Sequence, residues 1–187
     1  MSEYATLANQ FLIAMPSLAD PNFEHSVTLI CEHTAEGALG LIINKTTSLS
    51  ISEVFAQLAL EQSQNEHAQR PVMHGGPVAT SRGFVLHDEG GDWDSTLKLS
   101  SDLSLTTSRD IMEAMAGGQG PQRALFALGY AGWTAGQLEN EIADNAWLSV
   151  QCEDELIFDT PIEDRWDAAT RLLGIDPAAL STVAGHS

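Results

Sequence analysis

Few side chains in this sequence are grouped so that they could do chemistry, and the tightest grouping is Cys31-Glu32-His33. The thiolate is the form of cysteine that attacks electrophiles or binds metal, and a neighbouring imidazolium would stabilise it. On a β-strand, residues two apart share a face and lie roughly 6.6 Å apart along the chain. Cys31 and His33 are therefore a candidate reactive pair. The structural alternative is that they form the wet end of a core strand. Val27 and Leu29 fall on the same predicted face, and buried cysteine behaves as a small inert hydrophobe.

Two further stretches could bind rather than react. In "MHGGPVATSRGFVLH" (73–87), Gly75 and Gly76 permit backbone geometry that other residues resist, and free amides there could hold an anion with Arg82 beside them. The alternative is a tight connection between two strands, with Arg82 in a structural ion pair. In "GYAGWTAGQLE" (129–139), Tyr130 and Trp133 stand among glycines just before a predicted helix N-terminus at Thr134. Helix N-termini attract anions, and an aromatic pair beside one could stack a ligand. Such aromatics also serve to close a core beneath a loop. No phosphate loop, dinucleotide fingerprint, zinc-protease helix or nucleophile elbow is present. His25, His67, His74 and His87 are not at ligand spacing, so no metal and no cofactor are expected.

The elements that must position these residues are legible in outline. Strands are predicted at 11–15, 25–34, 38–44, 71–74, 82–87, 96–100, 123–129, 146–150 and 155–158, with 25–34 and 38–44 forming a hairpin. Helices are predicted behind the capping boxes Ser50/Glu53, Thr134/Gln137 and Thr160/Glu163, behind Ser108, and after Asp176. Segments 61–71 and 88–94 read as loop and turn. Strands and helices interleave irregularly, which predicts an α+β fold with a mixed sheet rather than strict alternation. The length of 187 residues fits a single domain, 1–187.

Charge restricts the function classes. Eight basic residues face 26 acidic ones, a formal charge of −18, and no two basic residues are closer than six positions. Duplex DNA demands a clustered cationic face, so direct nucleic-acid binding is disfavoured. Two cysteines make no disulfide framework, and no run approaches the roughly 20 apolar residues of a membrane helix. A cytoplasmic protein without membrane contact is the expectation.

Four segments, "FLIAMPSLADPNFEHSVTLICEHTAEGALGLIIN", "HGGPVATSRGFVLH", "GYAGWTAGQLENEIADNAWL" and "IFDTPIEDRWDAATRLLGI", carry a resemblance. In this order, and over nearly the whole chain, the sequence resembles the YqgE/AlgH family, bacterial proteins labelled as transcriptional regulators. The resemblance implies one α+β domain with a mixed, curved sheet and surrounding helices. It implies no established enzyme activity, and a regulator label that comes from genetic association. The family's pattern includes the residues matching Cys31 and His33, which keeps a thiol role open. Asn44 is a candidate binding residue in the matching segment. The family commonly continues that segment with a basic residue and proline, where this chain has Lys45 and Thr46. Two functions then compete. One is a non-enzymatic regulator acting indirectly through an unknown protein or small-molecule partner. The other is a thiol-based sensor or small-molecule-modifying protein using Cys31 with His33.

Overall fold

The apolar run "FLIA" and the stretch "VTLIC", polar only at Thr28, leave no wholly polar face, so strands built from them must be covered on both sides. The computed structural model, which describes residues 6–18, 20–63, 65, 67–88 and 92–179, covers them that way. The strands are β1 (Gln10–Ala14), β2 (Val27–Thr34), β3 (Gly37–Ile42), β4 (Thr46–Ser50), β5 (Pro71–His74), β6 (Val78–His87), β7 (Thr96–Ser100), β8 (Leu103–Thr106), β9 (Ala124–Thr134) and β10 (Trp147–Gln151). The helices are α1 (Ile51–Gln57), α2 (Arg109–Ala116), α3 (Gln137–Ala143), α4 (Asp154–Phe158) and α5 (Arg165–Leu172), with a single 3₁₀ turn at Ile162–Asp164.

The strands form one curled sheet in the order β10-β1-β2-β3-β9-β6-β8-β7, and β5 joins β4 to β9 off that path. All pairings are antiparallel except β5 with β9, which makes the sheet mixed. β9 is its spine. Residues 131–134 pair with β3, 127 and 128 with β5, and 124–128 with β6. On one face Phe11, Ile13, Leu29 and Leu41 pack under Ile157 of α4 and Trp166 of α5. On the other, Leu12, Ile30, Trp133 and Trp147 pack with Leu138 of α3. α1 and α2 close a third cluster through Phe55, Ile111 and Met115 against Phe126.

Local chemistry explains most boundaries. At α1 the Ser50 hydroxyl accepts from Glu53 N–H and the Glu53 carboxylate accepts from Ser50 N–H, so the predicted capping box is complete. α5 ends ahead of Gly174 at φ 77°. After Asp176, whose carboxylate accepts from Ala178 N–H, the predicted last helix runs out of the described residues.

Several expectations are corrected. Segment 155–158 is helical, not a strand. "ELIF" is too short to reveal its period, and Asp154 and Glu155 suit a helix's first turn. β9 runs through Thr134, so the predicted glycine–aromatic loop at 129–134 is strand. α3 starts at Gln137 behind Gly136, although the Gln137 side chain still accepts from Thr134 N–H. β4 and β8 were not foreseen. Residues 89–91 of the predicted turn, and 64 and 66 of the predicted loop, lie outside the described residues.

Candidate functional site

The structure places Cys31 and His33 apart. β2 carries a bulge against β3, where Ile30 faces Gly40 and Glu32 already faces Leu39. Cys31 is the extra residue, and the alternation slips by one. Cys31 stays with Val27 and Leu29 in the cluster under α4 and α5. His33, opposite Ala38, turns to the α3 side. Its Nδ1 accepts from Leu7 N–H at 2.9 Å and its Nε2 lies 3.2 Å from Glu139 Oε1. That set is satisfied by a neutral ring with its proton on Nε2. Cys31 is 4% exposed and its Sγ contacts the Leu29 carbonyl. Burial first, then the neighbouring Cys152 and Glu32, pushes its thiol up to about 12. The expected imidazolium-assisted thiolate is not assembled.

Asn44 is a brace. Its Oδ1 accepts from Val27 N–H and its Nδ2 donates to the His25 carbonyl, both at 2.9 Å, so it fixes the entry of β2. Gly75 and Gly76 mark a backbone crossing. A Cβ on Gly75 would come within 2.3 Å of the Gly129 carbonyl oxygen, and one on Gly76 within 2.1 Å of Tyr130 backbone carbon. Gly75 N–H is already donated to Leu128 O, so the proposed anion-holding amide is spent inside the fold. Arg82 is exposed and lies over the Phe84 ring at 5.3 Å, with no ion pair among the described residues. Tyr130 and Trp133 lean to opposite faces of β9. Tyr130 meets Phe84 edge-on, while Trp133 joins Phe23 and Trp147. Both indoles donate to one oxygen of Glu141, at 3.0 and 2.9 Å. They are not a stacking pair. Tyr130 does border a groove of about 490 Å³ with Glu32, Glu36 and Val78, next to a depression that Arg82 shares with Glu32 and Leu97.

The cations, scattered in sequence, gather elsewhere. A cleft of about 300 Å³ opens where the ends of β5, β9 and α4 meet the start of α5, and Arg70, Arg123 and Arg165 all line it. Three of the eight basic residues therefore share one concavity. Met73, Leu125 and Phe126 give it an apolar floor. Arg70 is steered by His67, whose Nδ1 accepts from Arg70 Nη1 at 3.2 Å while its Nε2 donates to the Pro121 carbonyl at 3.0 Å. Arg123 pairs with Asp159 and lies over the Phe158 ring at 5.0 Å. Arg165 is 7% exposed. Its Nε donates to Thr160 O at 3.0 Å and its Nη1 to Ile43 O, and among the described residues no carboxylate forms an ion pair with it. Desolvation lowers its pKa to about 10 despite the nearby Glu163.

Among the described residues the lining contains no cysteine, serine or histidine, and its one carboxylate, Asp159, is engaged by Arg123. The arrangement can bind an anion and supplies no nucleophile. Sequence spacing concealed it, because 53 and 42 positions separate these arginines and only the topology unites them. One signal was available: Arg165 is the first residue of α5, the end where the helix dipole disfavours a cation. Among the described residues no group of histidine, cysteine and carboxylates could hold a metal, and no helix is long and apolar enough to cross a membrane.

Fold and site define a class: a mixed-sheet α+β domain with an arginine-lined concavity beside the sheet. Within that class, a family model described as AlgH-like matches residues 11–178, and the chain belongs to that family. Curated relatives named UPF0301 protein include one from Saccharophagus degradans, 52% identical over 99% of this chain and 91% of its own length. One from Thioalkalivibrio sulfidiphilus is 52% identical over the whole of both chains. The solution structure of the AlgH protein from Pseudomonas aeruginosa superposes with a TM-score of 0.80 at 45% identity, covering 97% of this chain and 96% of that one. A crystal structure from Corynebacterium diphtheriae, 22% identical with a TM-score of 0.68 over 91% and 89% of the two chains, shares the fold.

Proposed function

We propose that the protein is a non-enzymatic cytoplasmic regulator that influences transcription indirectly, by reversible binding of a small molecule or a protein group at the arginine-lined cleft. The observation that carries this reading is the convergence of Arg70, Arg123 and Arg165 on one small concavity of a chain with formal charge −18. Only five basic residues remain for the rest of the surface, too few to make a phosphate-tracking face on a duplex. The cleft lies at the lower limit of small-molecule sites, about 300–1,000 Å³, and offers binding groups without a reacting one.

The test has two arms. In a gel-shift titration at low salt, duplex DNA is expected to stay unbound at micromolar protein, and tight salt-sensitive binding would refute the indirect reading. In a thermal-shift screen of small anions and a lysate pull-down, a specific ligand or partner is expected whose capture weakens when Arg70 and Arg123 are replaced by glutamine. A ligand and partner set indifferent to both substitutions would remove the cleft from the function.

A further inference from the structure

Arg165 poses a question that its packing does not answer. A guanidinium carries five N–H donors and a charge that it cannot shed at neutral pH. Here two carbonyls take Nε and Nη1, which ties the start of α5 to Thr160 and to Ile43 beyond β3. Among the described residues no carboxylate forms an ion pair with it, and Glu163 only offsets part of the charge from a distance, although the side chain is more than nine-tenths buried and borders the cleft. A purely structural anchor could be made with neutral donors. A largely buried cation with no ion-pair partner is costly unless something anionic completes it.

The cleft is arranged for that completion. Arg70 and Arg123 enter it from the residues just ahead of β5 and β9, and Asp159 is the one anionic side chain among the described lining residues. Three positive charges less one negative leave +2 facing the cavity. A monocarboxylate would neutralise half of that. A phosphate monoester carries about −1.5 to −2 at neutral pH and three acceptor oxygens, which matches both the charge and the number of guanidinium groups. The walls beyond the arginines are apolar, with Met73, Phe126, Ile157 and Ile162 among them, and the volume of about 300 Å³ limits the organic part to a compact group.

Resting on the binding reading above, we infer that this cleft is a site for a small phosphate monoester with a compact apolar or aromatic body. Arg165 holds the phosphoryl group from the buried end and Arg70 from the mouth. Asp159 occupies Arg123 when the site is empty and yields it when the ligand enters. Asp159 is thus a built-in competitor that sets the affinity.

The test uses the full chain and phenyl phosphate in calorimetric titration at about 0.15 M salt, where long-range charge effects are screened, with benzoate and inorganic phosphate as companion probes. Phenyl phosphate is expected to bind more tightly than either. Arg70→Gln should weaken it about tenfold or more, the scale of a lost charge-assisted hydrogen bond. Asp159→Asn should tighten it by several fold, an effect that structural damage would not produce. Arg165→Gln should abolish binding. Because Arg165 also anchors α5, that variant is scored only alongside a circular-dichroism melt, and the Arg70 and Asp159 variants decide the matter if it unfolds. Failure of phenyl phosphate to bind, or indifference to both Arg70→Gln and Asp159→Asn, overturns the inference. Benzoate binding as tightly as phenyl phosphate overturns the phosphate assignment while leaving the cleft as a binding site. Partner capture that persists and still depends on Arg70 and Arg123, with no phosphate binding, sinks this inference and spares the proposed function.

Discussion

The burial of Cys31 makes a quantitative statement about its reactivity. Its thiol is pushed from an ordinary 9.0 to about 12, mainly by desolvation. At pH 7.5 an ordinary thiol with that 9.0 value is ionised to about three parts in a hundred, and Cys31 to about three in a hundred thousand, a thousandfold less thiolate. A more basic thiolate is intrinsically more nucleophilic and recovers about twentyfold of this. Ionisation alone should therefore slow alkylation about fiftyfold, and the 4% exposure adds a steric block. The assay is iodoacetamide labelling at pH 7.5, native and in urea, with each cysteine followed by peptide mass spectrometry. Native Cys31 should react at least about fiftyfold more slowly than the unfolded chain, with no inflection in its rate below pH 9. Native labelling within fivefold of the unfolded rate, or a plateau near pH 8.5, would refute the reasoning and revive a thiol-based activity. The sign of the linked stability effect follows. A thiol whose folded pKa lies above its unfolded value stabilises the fold below about 9.0 and loses that contribution as pH climbs towards 12. Chemical denaturation should therefore show stability falling across that interval.

Three other perturbations have defined outcomes. Glu141→Leu removes the acceptor shared by the Trp133 and Trp147 indoles and should cost about 2–6 kcal/mol, since each buried donor left unpaired costs about 1–3 kcal/mol; urea denaturation followed by tryptophan fluorescence measures it, and Glu141→Gln should recover at least half. Gly76→Ala puts a Cβ about 2.1 Å from Tyr130 backbone carbon, which no side-chain movement relieves, so this variant should melt far below Gly83→Ala, where the nearest atom is the Phe126 ring edge at 3.1 Å. Burial lowers the pKa of His87, whose Nδ1 donates to the Asp88 carbonyl and whose Nε2 accepts from Thr106 Oγ1. Burial opposes charging this ring in the folded state, so stability present above about pH 6.5 should decline as pH falls below it, and His87→Gln should flatten that acid limb in a series of denaturation curves.

What the sequence disclosed depended on how local the cause was. Ser50 and Glu53 are three residues apart and cap each other, so that boundary could be read directly. β1 and the first half of β2 announce themselves through apolar runs that need cover on both faces. The bulge at Cys31 left no such trace. It arises from how β2 meets β3, and a slip of one residue sent His33 to the other side of the sheet. Tyr130 and Trp133 looked like loop aromatics because their glycines suggested a turn, yet Gly129 serves a close backbone passage beside Gly76. The arginine cleft was the least legible feature, since its members come from three distant elements and each alone resembles a solvated surface charge.

The shared spine has a consequence for synthesis in the cell. Residues 124–134 are the common neighbour of three earlier strands, β3, β5 and β6, and they leave the ribosome after all three. Until they emerge, those strands keep unfilled hydrogen-bonding edges, and β1 waits longer still for residues 147–151. The first two-thirds of the polypeptide therefore has no route to a finished sheet while it is being made, and closure is a late, nearly single event.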